Sequence, residues 1–248
     1  VYLSSPKLRD LIRNGTTPCP EIINAWLPFD RTHGYGYWIS VLLHSCCCVY
    51  GGGVVAGYDS TAIVLMSFLN GQLEILSKNC ARLFGVGETV TYEEAVKRIG
   101  ACHEHHVNLV KFSSTLNSLL SPVMFMYVII CSLMICASAV QLTMEGTETM
   151  QRIWIAEYLT ALIAQLFLYC WHSNEVLCMS NNVEKGVYTS AWWSQDVRIR
   201  RSVILLGGQL RKTIVFTAGP FTNMSVSTFV AVMKGAYSYY TLLSKKEN

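Results

Sequence analysis

Charged residues are scarce in this sequence. They make up 14% of its 248 residues, against roughly a quarter in soluble globular domains, while hydrophobic residues reach 52%. A soluble domain of this length would lack the polar groups needed to cover its surface. The net charge is only +3, and no basic stripe is interleaved with aromatic residues, so nucleic acid is not an expected partner. The composition therefore argues against an ordinary soluble enzyme.

The sequence also lacks the motifs of common catalytic sites. It contains no nucleophile elbow, no P-loop and no carboxylates paired at a shared membrane depth. Residues 102–106 gather a cysteine and three histidines on one predicted helix. Ligands so close together cannot close a tetrahedral shell around zinc, so a solvated helix face is predicted there. We expect no enzyme activity, no metal and no cofactor.

Four long stretches are almost free of charge. They are Thr32–Tyr58, Phe112–Met144, Ile153–Asn174 with only Glu157, and Thr213–Leu243 with only Lys234. Roughly 20 apolar residues in a helix cross a hydrocarbon core about 30 Å thick. The pattern predicts an all-α membrane protein with four transmembrane helices. Long buried helices in a soluble bundle are the alternative interpretation.

The charges between these stretches predict the topology. With four spans both termini lie on one side, and the opposite side carries more lysine and arginine. The positive-inside rule makes that richer side cytoplasmic and both termini extracellular. The sequon Asn14-Gly15-Thr16 falls on the predicted outer side, so Asn14 is the expected glycosylation site.

Two predicted helices continue beyond the membrane. Apolar residues recur after the first span among Asn70, Gln72 and Glu74, and Thr91 to Glu94 resemble a capping box for the next helix. The predicted segments are an extracellular loop (1–33), a transmembrane helix with a cytoplasmic extension (34–84), a cytoplasmic helix leading into a transmembrane helix (88–144), a short extracellular loop (145–152), a transmembrane helix (153–175), a cytoplasmic loop and anchoring helix (176–212), a pore-type transmembrane helix (213–244) and an extracellular tail (245–248).

Ten cysteines do not predict a disulfide framework. Only Cys19 falls in a predicted extracellular loop, whereas Cys80, Cys102 and Cys178 face the reducing cytoplasm. The remaining six lie within the predicted spans, where cysteine behaves as a small hydrophobe. Intramolecular bridges are therefore not expected.

The last stretch has a polar face. Hydroxyl side chains recur along it, and Lys234 is a costly charge within a membrane unless it meets a polar partner or water. This pattern suggests a pore wall, although hydroxyl groups also pack helices together in lipid. Glu157, about one turn into the third span, faces a water-filled cavity, pairs with Arg152 or snorkels to the interface.

Several ordered sequence pieces resemble insect odorant receptors. They cover nearly the whole chain: Leu27–Asp30 (LPFD), the region around His105-His106, Tyr169–Glu175 (YCWHSNE), Gly186–Trp193 (GVYTSAWW), Thr217–Phe221 (TAGPF) and Ser238–Leu243 (SYYTLL). The resemblance implies seven spans with the C terminus outside the cell. It further implies a hetero-tetrameric, odorant-gated cation channel, built with a shared co-receptor, in the plasma membrane of olfactory sensory neurons.

On this resemblance the chain carries the fourth to seventh spans. It begins at Val1 with no signal peptide, so either earlier spans precede it or an internal signal-anchor directs its insertion. We expect it to be the C-terminal part of a longer receptor. The partners would then be the co-receptor subunit, membrane lipids and a small volatile hydrophobic ligand.

The resemblance also suggests site residues. Leu242 is the expected hydrophobic constriction near the outer mouth, with Ser238, Gly235 and Lys234 below it on the same wall. The expected ligand-binding residues are Trp38, Leu42, Met126, Cys131 and Glu157. A gustatory or pheromone-type receptor of the same superfamily and a small-molecule transporter are the alternatives. The two halves of the chain show no similarity, which argues against the inverted repeats of transporters.

Overall fold

The structure is a computed structural model that describes residues 34–88, 90–143 and 149–244. The predicted outer loop with Asn14, the first half of the short 145–152 loop and the 245–248 tail lie outside the described residues. Two compact units divide the described part of the chain. One contains residues 34–61 and 149–153, and the other contains residues 62–143 and 154–244.

The described residues are almost entirely helical. The helices are α1 (Gly34–Ala81), α2 (Tyr92–Thr143), α3 (Thr149–Thr189), α4 (Val197–Leu210) and α5 (Val226–Ser244). A 3-10 turn at Trp192–Ser194 separates α3 from α4, and two short strands, β1 (Thr217–Ala218) and β2 (Thr222–Asn223), precede α5. The all-α prediction is confirmed.

Three helices are long and apolar enough to cross a membrane within the described residues. They cover Tyr35–Ala81, Tyr92–Leu142 and Thr149–Ser194. The 52 residues of α2 rise about 78 Å at roughly 1.5 Å per residue, far more than the bilayer core of about 30 Å. A helix of this length continues well beyond the hydrocarbon. The fourth predicted span falls in the shorter, 19-residue α5, where Lys234 and the hydroxyl side chains reduce the hydropathy.

The structure places two helix ends differently from the sequence prediction. Helix α3 does not end near residue 175 but continues to Thr189, so the third span and the first part of the predicted 176–212 loop form one helix. The last helix begins at Val226 rather than near residue 213. The intervening residues form an antiparallel hairpin that pairs Thr217 with Asn223 and Ala218 with Thr222.

The first unit exposes most of its side chains. Residues 45–58 of α1 are all exposed, including the three consecutive cysteines Cys46 to Cys48. An apolar helix surface of this extent is unusual against water and suits a lipid environment or further helices.

The second unit holds the hydrophobic core. Leu69, Leu73 and Leu76 of α1 are fully buried at the three- and four-residue spacing of one helix face. Val203, Leu206 and Leu210 of α4 repeat the same spacing. Burial of one such leucine contributes about 1.5–3 kcal/mol of transfer free energy. Hydrophobic packing therefore holds the long helices together both within their most apolar stretches and outside them.

Polar contacts hold the connection between α1 and α2. We call this set of contacts the polar clip; it joins Leu83, Gly85, Glu88, Glu94 and Arg98. The Glu88 carboxylate accepts hydrogen bonds from the Gly85 N–H at 2.8 Å and from the Arg98 guanidinium at 3.2 Å. Arg98 also donates to the Leu83 carbonyl at 3.0 Å and to Glu94 at 3.1 Å. The expected cap is present, because the Glu94 N–H donates to Thr91 Oγ1 at 3.4 Å.

These bonds predict an acid-dependent stability. The Gly85 N–H and then Arg98 hold the pKa of Glu88 below its ordinary value of 4.5. A lowered carboxylate pKa stabilises the fold above 4.5, and that stabilisation is lost as pH falls through the lowered value. Glu88→Gln should reduce the thermal midpoint of the detergent-solubilised protein at neutral pH, with the difference vanishing in acid. Glu93→Gln, an exposed neighbour with no ion pair to a described residue, is the control. An unchanged midpoint at neutral pH would contradict the prediction.

The expectation of a solvated face at residues 102–106 is wrong. Cys102 and His106 are buried, and His105 Nε2 lies 3.3 Å from Gln72 Oε1. No cluster suited to a metal ion occurs among the described residues. One face of α2 packs on α1 here, because His105 contacts Gln72, whereas Glu104 on another face stays exposed.

Candidate functional site

Helix α5 packs through one face. Ala236 is buried, and Phe229, Val232 and Met233 are half-buried against the core. Helix α2 is its principal contact. The packed residues follow the three- and four-residue spacing of a single helix face. The orientation of the opposite face is fixed as a consequence.

The predicted gate residues share that opposite face. Gly235, Ser238 and Leu242 are exposed and separated by three and four residues, and Leu242 is 66% exposed. Lys234 is also exposed and forms no ion pair with a described residue. The Ser238 hydroxyl donates a hydrogen bond to the Lys234 carbonyl at 2.9 Å, so its donor is already satisfied within the helix. An apolar side chain, a small residue and a free ammonium therefore line one unpacked wall.

The start of α5 is fixed to α2 by a polar cluster. The Thr217 N–H donates to Asn117 Oδ1 at 2.9 Å, and Asn117 Nδ2 donates to Thr217 Oγ1 at 3.2 Å. The Gly219 N–H donates to Ser121 Oγ at 3.0 Å and to the Ser121 carbonyl at 3.1 Å. We call these four residues the hairpin anchor. Their bonds fix the direction in which α5 leaves the hairpin.

Gly219 is required by the local geometry. Its φ is +64°, and a Cβ atom at this position would lie 2.8 Å from Phe125 Cδ2 on α2. Glycine accepts this left-handed conformation without the cost that other residues incur. Pro220 follows and cannot donate a backbone hydrogen bond, which helps to separate α4 from α5.

Two buried serines attach the same segment to α3. The Ser173 hydroxyl donates to the Met224 carbonyl at 2.6 Å, and Ser180 Oγ accepts from the Ile214 N–H at 2.9 Å. Both serines are almost fully buried. Each satisfies a backbone group that would otherwise be left unpaired away from water. The base of α5 is thus held on two sides, while its exposed face is unpartnered within the described chain.

The larger apolar cavity lies between α2 and the hairpin–α5 segment. Its volume is about 750 Å³, within the range typical of small-molecule sites. The α2 wall is formed by Val128, Ile129, Ser132, Leu133, Cys136 and Ala137. The other wall is formed by Thr222, Thr228, Ala231, Val232, Gly235, Ala236 and Tyr239. Gly235 therefore belongs both to the exposed face of α5 and to the edge of this cavity.

A smaller cavity lies where α2, α3 and α5 meet. Its volume is about 320 Å³, and its lining is apolar apart from two tyrosines. The lining residues are Ile135, Ala139, Leu142, Leu159, Ile163, Met233, Ala236, Tyr237 and Tyr240. An aromatic and aliphatic lining with few polar groups suits a small hydrophobic molecule.

The predicted ligand-binding residues lie on three different helices. Trp38 and Leu42 are exposed on α1, Met126 is exposed on α2, and Glu157 is exposed on α3. Cys131 is buried, with its thiol 3.9 Å from the Leu162 carbonyl. None of the five lines either apolar cavity. Tyr237 and Tyr240 line the smaller cavity and were not predicted, although their three-residue spacing on a packed helix was the available signal.

The fold and this site define a helical, multi-pass membrane protein in which a short amphipathic helix presents an unpartnered polar wall. A model of the 7tm odorant receptor family matches residues 10–237. The chain belongs to that family, which is a receptor family and not an enzyme family. The resemblance noted in the sequence is confirmed.

Relatives in other insects support the assignment. The chain is 25% identical over 209 residues to odorant receptor Or2 of Anopheles gambiae, covering 84% of this chain and 54% of that protein. It is 24% identical to odorant receptor 46a, isoform A, of Drosophila melanogaster, covering 87% and 57% respectively. The chain thus spans little more than half the length of these curated relatives.

A solved receptor shares the fold. The structure resembles the insect olfactory receptor OR5 from Machilis hrabei in complex with eugenol, with a TM-score of 0.80 and 18% identity. The match covers 96% of this chain and 60% of that chain. At this identity the likeness describes the arrangement of helices.

Proposed function

We propose that the chain is part of an odorant receptor subunit, a ligand-gated, non-selective cation channel that detects a small volatile molecule together with a shared co-receptor. The observation that carries the proposal is the wall of α5, where Gly235, Ser238 and Leu242 are exposed on the face opposite the packed one. One face of α5 packs in the core, and the other face, which carries both apolar and polar residues, is unpacked. This is the arrangement expected of a helix that lines a pore shared among subunits.

The gate would be hydrophobic. Leu242 is an exposed apolar side chain, and Ser238 and Gly235 below it are small. A ring of leucines excludes water and ions when the helices are close together, and it admits them when the helices separate. The hairpin anchor would transmit movements of α2 to the base of this wall.

The ligand would be held mainly by apolar contacts. Trp38, Leu42, Met126, Cys131 and Glu157 remain the proposed binding residues, and the eugenol-bound OR5 shows that a receptor of this fold accepts a small aromatic molecule. In this proposal the protein lies in the plasma membrane of olfactory sensory neurons with its C terminus and Asn14 outside the cell.

Recording ionic currents tests the proposal directly. Cells expressing the full-length receptor with the co-receptor should show inward currents when a panel of volatile compounds is applied, and cells lacking either subunit should not. Co-receptor alone is the control for background responses. Absence of any co-receptor-dependent current, with both proteins present at the cell surface, would contradict the proposal.

Lys234 should influence which ions pass. An ammonium about 10 Å from an ion in water repels a monovalent cation by about 0.4 kcal/mol and a divalent one by about twice as much. Lys234→Gln should therefore raise the permeability of calcium relative to sodium by about twofold for each lysine removed. The measurement is the reversal potential in calcium-rich and sodium-rich solutions. Lys234→Arg, which keeps the charge, should leave the ratio unchanged; equal ratios in all three proteins would exclude Lys234 from the wall.

A further inference from the structure

The smaller apolar cavity is bounded by three helices of the second unit. Its volume of about 320 Å³ lies between α2, α3 and α5. Ile135 of α2 and Ala236 of α5 line it and are buried, whereas Tyr237 is 68% exposed at its open side. Ala139 and Ala236 leave room that larger apolar side chains would fill. The cavity therefore exists because small residues face each other from α2 and α5.

Side-chain contacts hold the three helices together at one end of this cavity. The Phe167 ring of α3 meets the Phe229 ring of α5 edge to face, with 5.4 Å between the ring centroids. The Cys131 thiol of α2 lies 3.9 Å from the Leu162 carbonyl of α3. Each contact lies about one helical turn from a residue that lines the cavity. The walls of the cavity are therefore parts of helices that are packed on one another.

The lining determines which molecules the cavity accepts. It contains no charged residue, and its only side-chain hydroxyls are those of Tyr237 and Tyr240, whose ring centroids are 6.4 Å apart. A charged molecule would lose its hydration here without gaining an ionic partner, so ionic ligands are excluded. The volume of about 320 Å³ is at the lower end of the range of small-molecule sites, and it is too small for a whole phospholipid or a helix of another chain.

We propose that this cavity is a second binding site, for a small, uncharged, mainly apolar molecule with one hydroxyl group, such as an alkanol or a phenol. The hydrocarbon part packs against the aliphatic lining, and the hydroxyl bonds to Tyr237 or Tyr240, because a phenol hydroxyl both donates and accepts. The bound molecule contacts the packed face of α5, whose opposite face carries the proposed gate residues. Any effect on that gate rests on the proposed function, whereas occupancy of the cavity does not.

Photolabelling tests occupancy without the recording of a current. Membranes from cells expressing the full-length receptor are irradiated with a photoreactive diazirine analogue of 1-octanol and digested with trypsin. Cleavage after lysine releases the peptide 235–245, in which Tyr237 and Tyr240 line this cavity and Tyr239 lines the larger one. We expect label on Tyr237 or Tyr240, and we expect excess unlabelled 1-octanol to remove it.

Cavity-filling variants identify the site. Ala139→Phe should abolish the label on Tyr237 and Tyr240 because its ring occupies the space, and Ala139→Leu, a smaller change, should reduce the label. Ala137→Phe is the matched control and should leave the label unchanged, since Ala137 is exposed on α2 and lines the larger cavity instead. The proposal is overturned if the peptide 235–245 carries no label, if 1-octanol does not displace the label, if Tyr239 alone is labelled, or if the two phenylalanine variants are labelled to the same extent.

Discussion

In the proposed channel, Leu242→Ala should cause opening in the absence of ligand. The side chain is 66% exposed on the unpacked face of α5, so its truncation leaves the core of the chain intact. Removal of most of a leucine side chain eliminates about 2 kcal/mol of apolar transfer free energy from the constriction. A change of that size shifts a closed–open equilibrium by more than about tenfold. We therefore expect a large rise in basal current and a smaller fractional response to ligand.

The measurement is whole-cell current before and after ligand, normalised to surface expression. Leu205→Ala is the matched control, because Leu205 is 69% exposed on α4 and lies outside the proposed wall. It should leave the basal current unchanged. A basal current in Leu242→Ala equal to that of the unmodified receptor would remove Leu242 from the gate and place the constriction elsewhere.

Gly219→Ala should destabilise the base of α5. Its φ of +64° costs a residue with a side chain roughly 1–2 kcal/mol, and the added Cβ would lie 2.8 Å from Phe125 Cδ2. Displacement of the Phe125 ring adds about 1 kcal/mol or more. The expected loss in unfolding free energy is therefore about 2–3 kcal/mol. Because Gly219 donates twice to Ser121, the change should also weaken the hairpin anchor.

Gly208→Ala gives the opposite expectation. Gly208 is exposed on α4, and a Cβ there meets no atom within 4 Å. Alanine is favoured over glycine in a helix interior by about 1 kcal/mol, so this variant should be slightly more stable than the unmodified protein. Thermal unfolding in detergent, followed by tryptophan fluorescence, compares the two. Equal midpoints for both variants would contradict the role given to Gly219.

The sequence predicts the structural features that depend on a local pattern of residues. Charge-free stretches identify the three long helices because a bilayer excludes charge over about 20 residues. Spacing along one helix correctly places Gly235, Ser238 and Leu242 on a shared face, because helical periodicity requires no knowledge of distant partners. The Thr91 cap was recognisable for the same reason, since its hydrogen bond closes within three residues.

Features that depend on residues distant in the sequence cannot be predicted from local sequence patterns. Asn117 and Ser121 appear as ordinary polar residues in a charge-free stretch until the hairpin is placed against them. The contact between His105 of α2 and Gln72 of α1 likewise requires these two helices to be packed together. The continuation of α3 to Thr189 was missed because the predicted end rested on the limit of a charge-free stretch, whereas helix α3 accepts charged side chains on its outer surface.

The hairpin anchor also constrains the order of events during synthesis. Asn117 and Thr217 are 100 residues apart, so at about 5–20 residues per second the ribosome needs roughly 5–20 seconds to supply the second partner after the first. Throughout that interval the amide of Asn117 and the hydroxyl of Ser121 lie in a newly inserted helix without the groups that finally satisfy them. The nascent receptor therefore passes through a stage in which α2 carries exposed polar groups, and completion of the hairpin ends it.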